Sequence, residues 1–261
     1  MKRARYLALL LVATLTGCAD PGPGGSGGTD RADQVVVLPA GQPQLMAELS
    51  FTGGYVPASW PVIEAPRLAV YSDGRAVADV GRTLTLTLTR DELVGLVGAL
   101  RRELAGLPTA VQARGRDEVY DAGSTVMVVR TAAGALQSVG AYAMGLLEYP
   151  PAVVAASDRL KGLAERIDRE GTRFTAERIR LVAEERTRAP SAGAAPWPAA
   201  VAVPPPHRSQ SRVRVANLSG AAVAAVTRSL PRDDRRHNWP VRRTDDGLVL
   251  AAAWRYLLPH E

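Results

Sequence analysis

The sequence predicts an α+β fold: mostly antiparallel sheet(s), with about three helices packed on one side. Three observations carry this expectation. Apolar and polar residues alternate in several short runs, the period of a strand with one buried face. Two longer stretches repeat apolar residues every three or four positions, the period of an amphipathic helix. Strands come in pairs around glycine-containing turns, and helices alternate with them only loosely, which favours antiparallel pairing over a doubly wound parallel sheet.

The folded part is expected to begin near Leu45. Leu45, Ala47, Leu49 and Phe51 alternate with Met46, Glu48 and Ser50, which reads as a strand. Leu68 to Tyr71 and Ala76-Val77 flank Asp73-Gly74, a favoured hairpin pair because glycine accepts positive φ. Thr83 to Thr89 alternates strictly, with Leu84, Leu86 and Leu88 on one face. Thr89 and Glu92 then stand at capping-box spacing, followed by Leu93, Leu96, Val97, Leu100 and Leu104 at helical spacing. Gly106 and Pro108 end that helix. Ser124–Thr131 and Leu136–Tyr142 form a second predicted hairpin. A second helix opens after Pro150-Pro151 and carries Val153, Ala156, Leu160, Leu163 and Ile167 inward, with Gly171 at its end. Glu177 to Glu185 reads as a strand. The Ala/Pro-rich stretch 186–208 reads as a linker or long surface loop that docks through Trp197. A strand from Arg212 to Asn217, a short helix over 220–230 capped by Ser219, and strands 240–243 and 248–257 around Asp245-Asp246-Gly247 complete the domain. The last strand is apolar on both sides and is expected to be central.

The first eighteen residues are an address. Lys2, Arg3 and Arg5 precede an apolar run of about ten residues, Tyr6 to Leu15. A spanning helix needs roughly twenty, so the run fits the core of a secretory signal. It closes in Leu15-Thr16-Gly17-Cys18, which resembles the lipobox of bacterial lipoproteins. The resemblance implies cleavage between Gly17 and Cys18, a diacylglycerol thioether on Cys18, and acylation of the new amine in many bacteria. A plain signal peptide with a cysteine near its end is the competing reading. Cys18 is the chain's single cysteine and stands where the lipid would go. Residues 1–17 are thus read as signal peptide, and 18–44 as lipidated cysteine and flexible tether. The tether's Pro-Gly-Ser composition spans about 25 Å for some twenty residues. Within it, Val35 to Leu38 reads as a short strand. Residues 45–261 make the α+β domain. Two or more acyl chains anchor stably where one does not, which places the domain on the extracytoplasmic face of the cell membrane.

Further likeness, spread over residues 45–260, is to a group of lipoproteins from high-GC actinobacteria. It is carried by Phe51-Thr52-Gly53-Gly54-Tyr55-Val56-Pro57, by Val70 to Arg75, by Ala141 to Gly145, by Ala195-Pro196-Trp197-Pro198 and by Trp254 to Pro259. It implies one extracytoplasmic module and no particular activity. The near-absence of lysine beyond Lys2 and Lys161 accords with a GC-rich genome.

Chemistry is sparse. Among 261 residues there are 3 histidines and 1 cysteine, so neither a disulfide framework nor a cysteine zinc site is expected. His207, His237 and His260 fall in predicted loops or at the terminus, with no HExxH spacing, and are read as solvated. No GxSxG, GxGxxG or P-loop motif occurs. No catalytic residue, metal or other cofactor is implied. The net charge of +6 includes three from Lys2, Arg3 and Arg5, so the mature surplus is mild and nucleic acid is not an expected partner. The most notable charge feature is Arg232, Arg235, Arg236, Arg242 and Arg243. These read either as a contact for anionic headgroups or wall polymers, or as a solvated loop. Trp60, Trp197 and Trp239 each stand beside a proline, and either anchor loops or line a groove. The functional expectation is a membrane-anchored, non-enzymatic binding or interaction module at the cell envelope, partnered by an envelope protein or a wall polymer. A carrier of a hydrophobic or amphiphilic ligand, and an envelope hydrolase with a dispersed site, are the alternatives.

Overall fold

The structure, a computed structural model, describes residues 36–114, 119–187, 193–233 and 238–261, all within the compact unit Gln34–Glu261. Gly17, Cys18, Val35, Arg235, Arg236 and His237 lie outside the described residues. In chain order, β1 (Leu45–Gly53) is followed by the single-turn α1 (Trp60–Ile63), β2 (Leu68–Tyr71), β3 (Arg75–Asp79) and β4 (Thr83–Thr87). Then come α2 (Arg90–Leu104), β5 (Ala110–Val111), β6 (Gly123–Arg130) and β7 (Leu136–Tyr142). After these, α3 (Pro151–Glu170) leads to β8 (Thr172–Arg173) and β9 (Arg178–Glu185). The chain closes with β10 (Ala195–Pro196), β11 (Pro206–His207), β12 (Gln210–Ser219), α4 (Ala221–Ser229), β13 (Val241–Arg243) and β14 (Val249–Tyr256).

The fold is α+β. Among the described residues, one eight-stranded sheet runs β5-β7-β6-β1-β2-β3-β4-β8, and a six-stranded sheet runs β10-β13-β14-β9-β12-β11. Pairing is antiparallel except at the short edge pairs β5–β7 and β10–β13. In the first sheet, α2 and α3 cover one face. Leu93, Val97, Leu100 and Leu104 of α2 and Val153, Ala156, Leu160 and Ile167 of α3 join Leu49, Leu68, Val70 and Met127 in one buried cluster. Ion pairs Arg159–Glu103 (2.6 Å) and Arg166–Glu92 (2.7 Å) tie the two helices along their solvent edge.

The capping box at α2 is complete. The Glu92 backbone N–H donates to the Thr89 hydroxyl at 3.2 Å, and the Thr89 N–H donates to the Glu92 carboxylate at 2.7 Å. That backbone hydrogen bond from Thr89, with the Arg166 guanidinium beside it, holds the Glu92 carboxyl down to about 2. Thr89→Ala removes the acceptor for an orphan helix donor and is expected to lower stability by about 1 kcal/mol. A urea unfolding curve reads this as a lower midpoint at unchanged slope.

The second sheet is apolar on both faces. On one, Ile179, Leu181, Leu250, Ala252 and Trp254 pack with Val226 and Leu230 from the end of α4. On the other, Val182, Val213, Ala251 and Ala253 are covered by α1 and Trp239. A third small cluster lies where the sheets meet: Leu45, Ala69, Tyr71 and Val77 from the first sheet, with Phe174, Tyr256 and Leu258.

Several local expectations change. Residues 36–38 form no strand. Val36 is buried against the α2 side of the core, so packing with the domain already includes residue 36, ahead of the expected start near Leu45. Residues 188–192 lie outside the described residues, and the rest of the stretch 186–208 is more than a linker or surface loop. It contributes β10 and β11 to the second sheet, and Trp197 docks over Val201, donating its indole N–H to the Val201 carbonyl at 2.6 Å. Ser219 is the last residue of β12 rather than a cap; Gly220 stands at the N-cap with φ 60°. A side chain resists that positive φ, so glycine takes the corner. Strict alternation fails at the start of β1, where a bulge falls between Leu45 and Ala47. The bulge sends Leu45 to the sheet junction while Ala47 and Leu49 face the helices.

Candidate functional site

The bulge in β1 has a consequence for polar chemistry. With Ala47 and Leu49 facing the helices, alternation turns Glu48 and Ser50 to the opposite face, towards the second sheet. There they line an open cleft of about 340 Å³. The other wall comes from α1 and the turn after it (Trp60, Pro61, Glu64), and the floor from Arg180 of β9 and Arg255 of β14. The C-terminal residues His260 and Glu261 fold back into it.

The floor is built around an electrostatic conflict and its resolution. In the β9–β14 pairing Arg255 stands directly opposite Arg180. Like charges opposite one another on neighbouring strands repel. Burial, and after it the charge on Arg255, push the Arg180 guanidinium below its ordinary value. Glu261 supplies the countercharge. Arg255 donates to its carboxylate through both terminal nitrogens, at 2.6 and 2.7 Å, the two-pronged geometry that guanidinium and carboxylate share. Arg180 lies 3.4 Å from the same carboxylate, and the Leu258 backbone N–H donates to it at 3.0 Å. Burial by itself raises the Glu261 carboxyl. The Arg255 hydrogen bonds and charge, the Leu258 N–H and Arg180 outweigh that, so it sits below the ordinary carboxylate range. Arg180 is further fixed by its Nε–H donating to Asn217, its neighbour on β12, at 3.0 Å.

A second polar chain enters from the first sheet. The Tyr71 hydroxyl is 2.8 Å from Nδ1 of His260, and the His260 Nε2 is 3.4 Å from the Glu48 carboxylate. Tyr71 is fully buried. Burial first, then the charges of Glu261 and Glu48, push its hydroxyl far above the ordinary phenol value, so it serves as a donor. His260 is an exposed residue whose ring is held at the edge of the cleft by Tyr71, where the chain after β14 turns back. His207 sits on β11 with Ser209 3.2 Å from its Nδ1.

Of the arginine cluster, Arg232, Arg242 and Arg243 are described, and these three do not share one face. Arg232 turns inward to the sheet junction, donating to the Thr83 hydroxyl, 3.8 Å from the Asp79 carboxylate and 5.6 Å over the Tyr256 ring. Its charge is spent inside the fold rather than on an anionic surface. Arg242 and Arg243 are successive residues of β13 and point to opposite faces, Arg243 being the exposed one. Of the tryptophans, Trp239 is buried and donates to Asp233 at 2.9 Å, while Trp60 lines the cleft.

Arg180, Arg255, Glu261 and Glu48 were not singled out from the sequence. A signal existed for two of them. Arg180 interrupts Ile179-Leu181, and Arg255 interrupts the apolar run Leu250–Leu258, where a charge demands a buried partner. The partner itself depends on a chain reversal that no local pattern encodes. In comparisons with protein-family models, curated proteins and solved structures, the chain matches none.

Proposed function

We propose that the chain is a membrane-anchored extracytoplasmic lipoprotein, held by lipid on Cys18, that acts as a non-enzymatic binding module, with the cleft between its sheets as the place where an envelope partner is taken. The observation that supports this reading is the convergence of Glu48, Arg180, Arg255, His260 and Glu261 from both sheets on one open cleft. Such convergence, pre-positioned by ion pairs and hydrogen bonds, is how a site offers directional contacts without reorganising. A carrier of apolar cargo draws less support, because charged side chains line this cleft and both faces of the second sheet are filled by packed residues. A hydrolase is favoured by one feature, the Tyr71–His260–Glu48 chain, which resembles an oriented acid–base relay. It ranks second because the cleft's most buried carboxylate, Glu261, is committed to Arg255 and kept ionised, so it has no proton to give.

Two substitutions test the proposal. Cys18→Ala removes the acyl attachment, and each lost methylene forfeits about 0.8 kcal/mol of membrane affinity. The protein is then expected to shift from the membrane fraction to the soluble fraction, or to remain as unprocessed precursor. Membrane retention at the normal mature mass defeats the lipoprotein reading. Arg180→Glu, in the anchored protein, reverses a charge on the cleft floor. Chemical crosslinks formed to the partner in intact cells are expected to vanish, and their persistence defeats the cleft as the binding site.

A further inference from the structure

We infer that a second cavity, separate from the cleft, is a binding site for an organic phosphate: a phosphomonoester group that carries an apolar body. This cavity has a volume of about 590 Å³. Its walls are α1, Arg180 of β9, Val215 and Asn217 of β12, and the turn that joins β11 to β12. Sites for small organic molecules have volumes of roughly 300–1,000 Å³. Pro61 and Arg180 also line the cleft, but the two spaces differ in charge. The carboxylates of Glu48, Glu64 and Glu261 all belong to the cleft. Among the described residues, those that line the cavity include Arg180, Arg208 and His207, and no Asp or Glu.

The donors around this space are not used up by the fold. Arg208 is exposed, and its guanidinium makes no ion pair or hydrogen bond among the described residues. Arg180 is held in place by two acceptors, the Asn217 side-chain oxygen at 3.0 Å and the Val62 carbonyl of α1 at 3.2 Å. Since Asn217 accepts through its oxygen, its amide N–H groups remain free to donate. His207 and Ser209 engage one another at 3.2 Å in the turn. Burial and the facing Arg255 disfavour the charge on Arg180, a cost that a second anion beside it would offset. Two guanidiniums with neutral donors between them suit a phosphoryl group better than a carboxylate. A phosphomonoester carries close to two negative charges at neutral pH and presents three acceptor oxygens, where a carboxylate has one charge and two oxygens. The remaining wall is apolar, from Pro61, Val62, Pro206 and Val215. It gives the body of the ligand a surface from which water is displaced, which a bare phosphate ion does not use.

The test uses the full chain in detergent, with phenyl phosphate as the probe and calorimetry as the readout. Phenyl phosphate is expected to bind saturably with a Kd below about 1 mM. Inorganic phosphate lacks the apolar body and benzoate lacks the phosphoryl group, so each is expected to bind about tenfold more weakly or worse. Arg208→Glu and Ser209→Asp each bring a carboxylate to the cavity, and each is expected to weaken phenyl phosphate by about tenfold or more. Both positions are exposed in the turn, and circular dichroism checks the fold of each variant; either one suffices. The source of the phosphoryl group is read with dihexanoyl phosphatidic acid, with dihexanoyl phosphatidylcholine as the control for partition into detergent. Binding tighter than that of phenyl phosphate and sensitive to Arg208→Glu assigns the site to a lipid headgroup, and weaker binding assigns it to a soluble phosphoester. Three results overturn the inference: no saturable binding of phenyl phosphate up to about 10 mM, benzoate binding as tightly as phenyl phosphate, or indifference to both substitutions. Arg208 and Ser209 do not line the cleft, so this result and the crosslinks expected of the cleft stand or fall separately.

Discussion

Glu261→Ala is expected to destabilise the protein by about 3 kcal/mol, seen as a melting temperature lowered by roughly 6–12 °C for a domain of this size. The cause is the charge left behind. The Arg255 side chain is only 5% exposed, and Arg180 stands opposite it at 22%. Without Glu261 the two guanidiniums face each other across β9 and β14 with no countercharge at the position it held, and removing one partner of a buried pair costs far more than the pair contributes. The paired change Arg255→Met with Glu261→Leu removes both charges together. It is expected to recover most of the loss, because a packed apolar pair avoids the desolvation that the ions incur. Equal melting temperatures for Glu261→Ala and the wild type would remove the electrostatic account of the cleft floor.

The same carboxylate makes a pH-dependent prediction. Its folded value lies below its ordinary 4.5. The contribution of Glu261 is therefore fully present above about pH 4.5, and is lost as the pH falls through the lower folded value. The neutral variant Glu261→Gln lacks that dependence. The gap in melting temperature between wild type and Glu261→Gln is expected to be constant from pH 6 to 5 and to narrow below about 4.5. A gap that widens on acidification contradicts the assignment.

Gly171→Ala is expected to cost about 3 kcal/mol, the upper end of overpacking effects. Gly171 closes α3, and a glycine there ordinarily signals a left-handed residue. Here its φ is −72°, which any residue adopts. The requirement is space. A methyl group at this position would lie inside van der Waals contact of the Ile167 carbonyl oxygen, 3.0 Å from the Ile167 Cγ2 and 3.2 Å from the Leu84 Cβ. The Gly171 N–H itself donates to that Ile167 carbonyl at 2.8 Å. Relief would mean pulling the end of α3 away from β4, which opens the core that both bury. Denaturant melts of Gly171→Ala and of Gly162→Ala make the comparison. Gly162 has open space around it and an α-helical setting, so that change is expected to be neutral or stabilising. A similar response of both variants would refute the steric argument.

Much of the architecture was legible because its determinants are local. Asp73-Gly74 marks a hairpin since the turn needs positive φ, and Gly74 has φ 88°. Thr89 and Glu92 mark a helix start since two orphan donors need two side chains three residues apart. Leu160 and its neighbours at three- and four-residue spacing mark a buried face for the same geometric reason. Illegible were the two-residue strands β5, β8, β10 and β11 and the single turn α1, which are shorter than the period by which such elements are recognised. The bulge at Leu45–Ala47 was equally hidden, because the apolar run Leu45-Met46-Ala47 does not say which residue leaves the alternation and the register shift answers to β2 across the sheet.

The candidate site divides along the same line. By itself the sequence determined the local: the hairpins, the capped start of α2, the apolar faces of α2 and α3 and the α+β class, all of which depend on residues a few positions apart. The tertiary structure alone decided that Glu48 faces the second sheet, that Arg180 and Arg255 confront one another, and that His260 and Glu261 return to join them. Electrostatic energy depends on distance in space, and Glu48 and His260 are joined only by the docking of two sheets and one chain reversal. A pattern with a period of two or 3.6 residues contains no term for that separation.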